Sequence, residues 1–189
     1  DARLSHIESP AITLGMRGLL SLEIECKNSS VDLHSGVHGG IALNPNRALA
    51  ALIANMWEPS GRVAIPHFYE DVESVKKWRD SLDMTFDQDL YTKDFGVHAF
   101  SHEKEYSLRE SNWLRPCLEV NGMWGGYIES GFKTVIPSKA YAKISCRLVP
   151  NQNPQKIAQN IIEYFKKNAP SGIEISAEIG EGYKAFCCF

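Results

Sequence analysis

The stretch "DLHSGVHGG", Asp32 to Gly40, sets two histidines four residues apart among glycines. On a helix that spacing would place His34 and His38 on one face, where two imidazoles can begin a zinc site. Gly36, Gly39 and Gly40 oppose a helix, since glycine costs about 1 kcal/mol per helical position relative to alanine. Asp32 is the single neighbouring carboxylate, too few groups for a tetrahedral set. A second reading is a polar turn whose hydroxyl and imidazoles bond backbone groups. A third is an imidazole held out on a tight loop, donating a hydrogen bond to a developing oxyanion. Glycines permit both the sharp turn and the close approach of another molecule.

Two further residues have suitable chemistry on weaker local grounds. Arg147 stands on the polar phase of an alternating segment, where its planar guanidinium suits bidentate capture of a carboxylate, or is simply solvated. Thr134 lies beside Lys133 in the loop "SGFKTVIPSK", and by itself reads as a turn residue. No serine or cysteine nucleophile motif is present, and "GGIALNP" lacks the lysine and Ser/Thr of a phosphate loop. His6, His67, His98 and His102 are isolated and read as structural or solvated.

These side chains need a scaffold. The chain has 189 residues and is 43% hydrophobic, enough for a buried core. Net charge is −3 with Lys and Arg scattered, which argues against nucleic acid or an anionic membrane as partner. No apolar run reaches the roughly 20 residues of a membrane span, and the first ten residues do not read as a signal peptide. Cys26 and Cys146 fall on apolar strand phases, and the odd total of five cysteines points to buried free thiols and a cytoplasmic location.

Periodicity supplies the elements. "LLSLEIECK" alternates, with Leu20, Leu22, Ile24 and Cys26 on one face, and predicts a half-buried strand. Asn44-Pro45 then opens a helix with Leu49, Leu52, Ile53 and Met56 inward, stopped by Pro59 and Gly61. The same grammar returns in "AYAKISCRLV", a strand with Ala140, Ala142, Ile144, Cys146 and Leu148 inward. It continues through Asn153-Pro154 into a helix with Ile157, Ile161, Tyr164 and Phe165 inward. Strands from Cys117 and over Ile173 to Ile179 complete the pattern. The order predicts an α+β, ferredoxin-like split βαβ fold: an antiparallel four-stranded sheet with two helices on one face. A mainly helical insertion is expected over about 59–116. Asp71 caps one expected helix, with Val72, Val75, Trp78 and Leu82 inward, and Gly96 stops another.

Taken together, Arg17-Gly18, Asp32-Leu33-His34-Ser35-Gly36, Asn44-Pro45, Lys133-Thr134-Val135-Ile136-Pro137 and Arg147-Leu148-Val149-Pro150 resemble the lid, or dimerisation, domain of the M20 family of zinc peptidases. The similarity is greatest to its cytosolic dipeptidase, carnosinase-like branch. The resemblance implies a homodimer acting on small peptides, with two zinc ions bound by a separate catalytic domain and no metal in this segment. It gives His34 the role of a catalytic residue that reaches the partner subunit's site and hydrogen-bonds the carbonyl oxygen. It gives Thr134 and Arg147 the role of substrate-binding residues, Arg147 taking the C-terminal carboxylate, and it assigns His38 no catalytic role. The expected organisation is a connector over 1–14, the lid domain over 15–183 and a truncated tail over 184–189. The segment alone is expected to be inactive. The competing expectation is a stand-alone, non-catalytic ferredoxin-like module that binds a ligand or regulates a partner.

Overall fold

The computed structural model describes residues 13–187. Most of the expected connector, with His6, and the last two residues of the expected tail lie outside the described residues. The first elements are β1 (Gly15–Met16), β2 (Gly18–Lys27), β3 (Leu33–His34), α1 (Ser35–His38) and α2 (Pro45–Ala54). The insertion carries α3 (Lys76–Arg79), α4 (Gln88–Phe95) and α5 (Leu108–Leu114). After it come β4 (Cys117–Gly125), β5 (Val135–Ile136), β6 (Lys139–Leu148), α6 (Pro154–Asn168), β7 (Glu174–Tyr183) and β8 (Phe186–Cys187).

The main sheet has the order β4-β6-β2-β7, and every neighbouring pair is antiparallel. In the unit β2–α2–β4 the two strands are separated by β6, so the expected split βαβ arrangement is the one observed. Alternation decides which face is covered. Leu20, Leu22, Ile24 and Cys26 of β2 and Ala140, Ala142, Ile144, Cys146 and Leu148 of β6 are all at most 3% exposed. They form one core with Leu49 and Leu52 of α2 and Ile157, Ile161 and Phe165 of α6. The other face carries cross-strand ion pairs, Lys139 to Glu25 at 2.9 Å and Lys27 to Glu174 at 3.1 Å. The expected free thiols hold: Cys26 and Cys146 are unpaired and buried. Burial pushes the Cys26 thiol up to about 11, so it stays protonated.

Both main helices begin as the Asn-Pro pairs foretell. Asn44 Oδ1 accepts the Asn46 N–H at 2.9 Å. Asn153 Oδ1 accepts the Gln155 N–H at 2.9 Å and the Lys156 N–H at 3.4 Å. The change Asn153→Ala orphans these donors and should lower stability by about 1 kcal/mol. A urea titration checks this, and an unchanged midpoint would contradict the assigned cap.

The insertion departs from expectation in one helix. Asp71 is no cap: its φ of 69° puts it in a left-handed turn, and only Lys76–Arg79 forms a helical turn. Val75 at the start of that turn makes no side-chain cap. Without a cap, the β-branched Val72 and Val75 do not sustain a helix over the expected span. Val75 is nevertheless buried, so the apolar reading of that position holds. Gly96 ends α4 with φ 66°, as expected, and Asp87 caps its start. The capping box of α5, Ser107 with Glu110, is an addition, written in the sequence as "SLRE".

A buried ion pair ties the insertion together internally. Arg115 Nε donates to Glu103 Oε1 at 2.8 Å and Arg115 Nη2 donates to Glu103 Oε2 at 2.9 Å. The guanidinium also lies over Tyr106 at 4.3 Å and Tyr69 at 4.9 Å. At the far end of the domain, Gly15–Met16 pairs with Phe186–Cys187, which sets the two ends of the described chain side by side.

Candidate functional site

His34 and Thr134 are a hundred residues apart and meet at one end of the main sheet. The two-residue ladder of β3 with β5 places Leu33 opposite Ile136 and His34 opposite Val135. The Ser35 N–H donates to the Thr134 carbonyl at 2.8 Å, and His34 Nε2 lies 3.0 Å from Thr134 Oγ1. Both side chains are exposed.

The backbone beneath the imidazole decides its proton. The Gly36 N–H donates to His34 Nδ1 at 3.0 Å, making His34 the N-cap of α1. A nitrogen that accepts a hydrogen bond carries a lone pair, so the neutral ring holds its proton on Nε2. That proton points to the Thr134 hydroxyl. Glycine at 36 is a steric requirement, because a Cβ there would sit 2.8 Å from His34 Cε1.

The expectation that glycines bar a helix needs correction. Ser35–His38 forms one helical turn, ended at Gly39 and followed by Gly40 with φ 77°. A single turn tolerates Gly36 because the His34 ring caps it. His34 itself has extended backbone, φ −75° and ψ 121°, so it does not share a helical face with His38. Among the described residues no group of three His, Cys, Asp or Glu side chains is placed to hold a metal. The Asp32 carboxylate, the one acid near the histidines in sequence, accepts two hydrogen bonds from Ser138.

Arg147 is elsewhere. It is exposed on the outward face of β6, opposite Leu19 of β2 and Cys117 of β4. It stands nine residues beyond Ser138, about 30 Å along a strand rising roughly 3.3 Å per residue. The structure therefore brings His34 and Thr134 together and leaves Arg147 at the opposite end of the sheet. The Asp32–Ser138 contact escapes sequence reasoning: its acid is visible two positions before His34, but its partner is 106 residues away.

Fold and site define a class: a ferredoxin-like domain that presents an imidazole and a hydroxyl at one end of its sheet. Residues 14–173 match the family model of the peptidase dimerisation domain of the M20 peptidases. The chain belongs to that family. It is 30% identical over 180 residues to the Beta-Ala-His dipeptidase of Rattus norvegicus, a match covering 92% of this chain and 37% of that protein. Over 165 residues it is 30% identical to the Cys-Gly metallodipeptidase of Schizosaccharomyces pombe, covering 85% of this chain and 34% of that one. The crystal structure of human carnosine dipeptidase 1 superposes with a TM-score of 0.77 at 27% identity, over 96% of this chain and 40% of that chain. The chain thus spans little more than a third of the length of these relatives.

Proposed function

We propose that this chain is the dimerisation domain of a longer di-zinc M20 peptidase that hydrolyses dipeptides or other small peptides as a cytoplasmic homodimer. The dipeptidase relatives support the reaction, and the buried free thiols of Cys26 and Cys146 support a reducing compartment. No helix among the described residues is long and apolar enough to cross a membrane. The described residues do not fit a metal centre, so the rest of the protein would hold the zinc. This chain contributes hydrogen bonds and charge.

The His34 ring offers its Nε2–H to the substrate carbonyl oxygen, exchanging the Thr134 hydroxyl for an acceptor that gains negative charge as the carbonyl carbon is attacked. Thr134 is then free to contact the substrate, and Arg147 takes its C-terminal carboxylate as a bidentate pair.

The observation that carries this reading is the separation of these groups. A dipeptide is about 7 Å long even when fully extended, so one copy cannot lay His34 and Arg147, which stand at opposite ends of the sheet, on the same molecule. A two-fold assembly can, with His34 and Thr134 from one copy and Arg147 from the other. The loops around His34 and Thr134 also expose Val37, Ile41, Ile128 and Phe132, each at least 67% accessible, apolar surface suited to a partner.

Subunit complementation tests this. Full-length His34→Ala and Arg147→Ala homodimers should each be severely impaired. Mixed and re-equilibrated, they should recover about a quarter of wild-type activity, because half the dimers are hybrids with one intact site each. Absence of any recovery, with subunit exchange verified by mass spectrometry, would refute the shared site.

A further inference from the structure

The His34 loop is held from below by a polar clasp. Asp32 Oδ1 accepts the Ser138 N–H at 2.7 Å and the Ser138 hydroxyl at 2.9 Å. The Ser138 carbonyl accepts the Asn28 N–H at 3.0 Å, so Ser138 is tied on both sides to the segment leading into β3. The β3–β5 ladder between this clasp and His34 is only two residue pairs long, and a ribbon that short has little stability of its own. The clasp supplies the missing constraint. Hydrogen bonds from the Ser138 N–H, and then from its hydroxyl, hold the Asp32 carboxyl below its ordinary range. It is therefore charged at neutral pH, where such bonds are strongest.

We infer that Asp32 is a positioning residue which, through Ser138, fixes His34 over Thr134 and so sets where the imidazole N–H points when substrate arrives. The inference rests on the reading of His34 as the hydrogen-bond donor to the substrate carbonyl. Three observations separate this role from ordinary fold maintenance. Asp32 is exposed, its hydrogen bonds reach no core side chain, and both go to Ser138, just past the strand paired with His34. Its effect on the reaction has to pass through the imidazole. Misplacement by about 1 Å far from the reacting atoms can cost on the order of 100-fold in rate.

The test is a double-mutant cycle in the full-length protein, with kcat and KM measured separately. Asp32→Ala should lower kcat at least about tenfold with little change in KM. Asp32→Asn should stay within about threefold of wild type, since its amide oxygen accepts the same two bonds from Ser138. In a His34→Ala background, Asp32→Ala should cost less than about twofold, because the group it positions is gone. Equal losses in both backgrounds would overturn the inference while leaving the role of His34 intact, and so would an Asp32→Ala enzyme with normal kcat. A His34→Ala enzyme with normal kcat would instead remove the underlying reading. If Asp32→Ala unfolds, as judged by circular dichroism, Ser138→Ala takes its place. A loss confined to the His34 background supports the clasp, and one equal in both backgrounds refutes it.

Discussion

Replacing His34 with alanine in the full-length protein is expected to lower kcat about 100-fold or more while KM changes by a few-fold at most. That is the scale of losing one preorganised donor to a developing oxyanion. The effect should fall on kcat because the bond strengthens only as the carbonyl oxygen gains charge, and equal stabilisation of ground and transition states would leave kcat unmoved. The structure gives this donor two supports. The Gly36 N–H at 3.0 Å from Nδ1 keeps the proton on Nε2, and the Thr134 hydroxyl at 3.0 Å holds the ring outward. Alanine removes the imidazole from an exposed site, so the core and the dimer should survive, which light scattering checks. A dimeric variant with near-normal kcat would rule out the assigned role.

The largest stability effect should come from the insertion. Removing either partner of the Glu103–Arg115 pair is expected to cost about 3–5 kcal/mol, because each leaves a buried charge without its two-bond partner. The side chains are only 9% and 7% exposed, so water offers little relief. The two changes should not be equal. After Arg115→Ala, Glu103 retains Arg62 at 3.9 Å. After Glu103→Ala, Arg115 keeps the faces of Tyr69 and Tyr106, a weaker substitute than a carboxylate. Glu103→Ala should therefore be the more damaging, as read by urea unfolding monitored through tryptophan fluorescence. Losses below about 1 kcal/mol in both variants would show that this pair does not hold the insertion together.

The fold was largely legible because its signals are local. A two-residue period over Leu20 to Cys26 and over Ala140 to Leu148 fixes which face of each strand is buried. An Asn-Pro pair before each helical stripe fixes where α2 and α6 begin, and the order of these elements leaves few antiparallel arrangements. The failures were local too. Asp71 has the chemistry of a cap, yet it sits in a left-handed turn, and α1 forms where glycines argued against it because a histidine side chain caps it. Propensity weighs residues singly, whereas a cap depends on where one side chain finds a backbone N–H.

The site divides along the same line. The sequence by itself determined that His34, Thr134 and Arg147 lie in motifs resembling one peptidase family, and that Arg147 points away from the core. Only the tertiary structure decided which of them lie side by side. The His34–Thr134 and Asp32–Ser138 contacts each span at least a hundred residues, and they exist because strand pairing brings β3 beside β5. The same geometry sends Arg147 to the far end of β6. Periodicity reports the face of a strand on which a side chain lies. Its height along the sheet, and the groups it meets there, follow from register between segments distant in the chain.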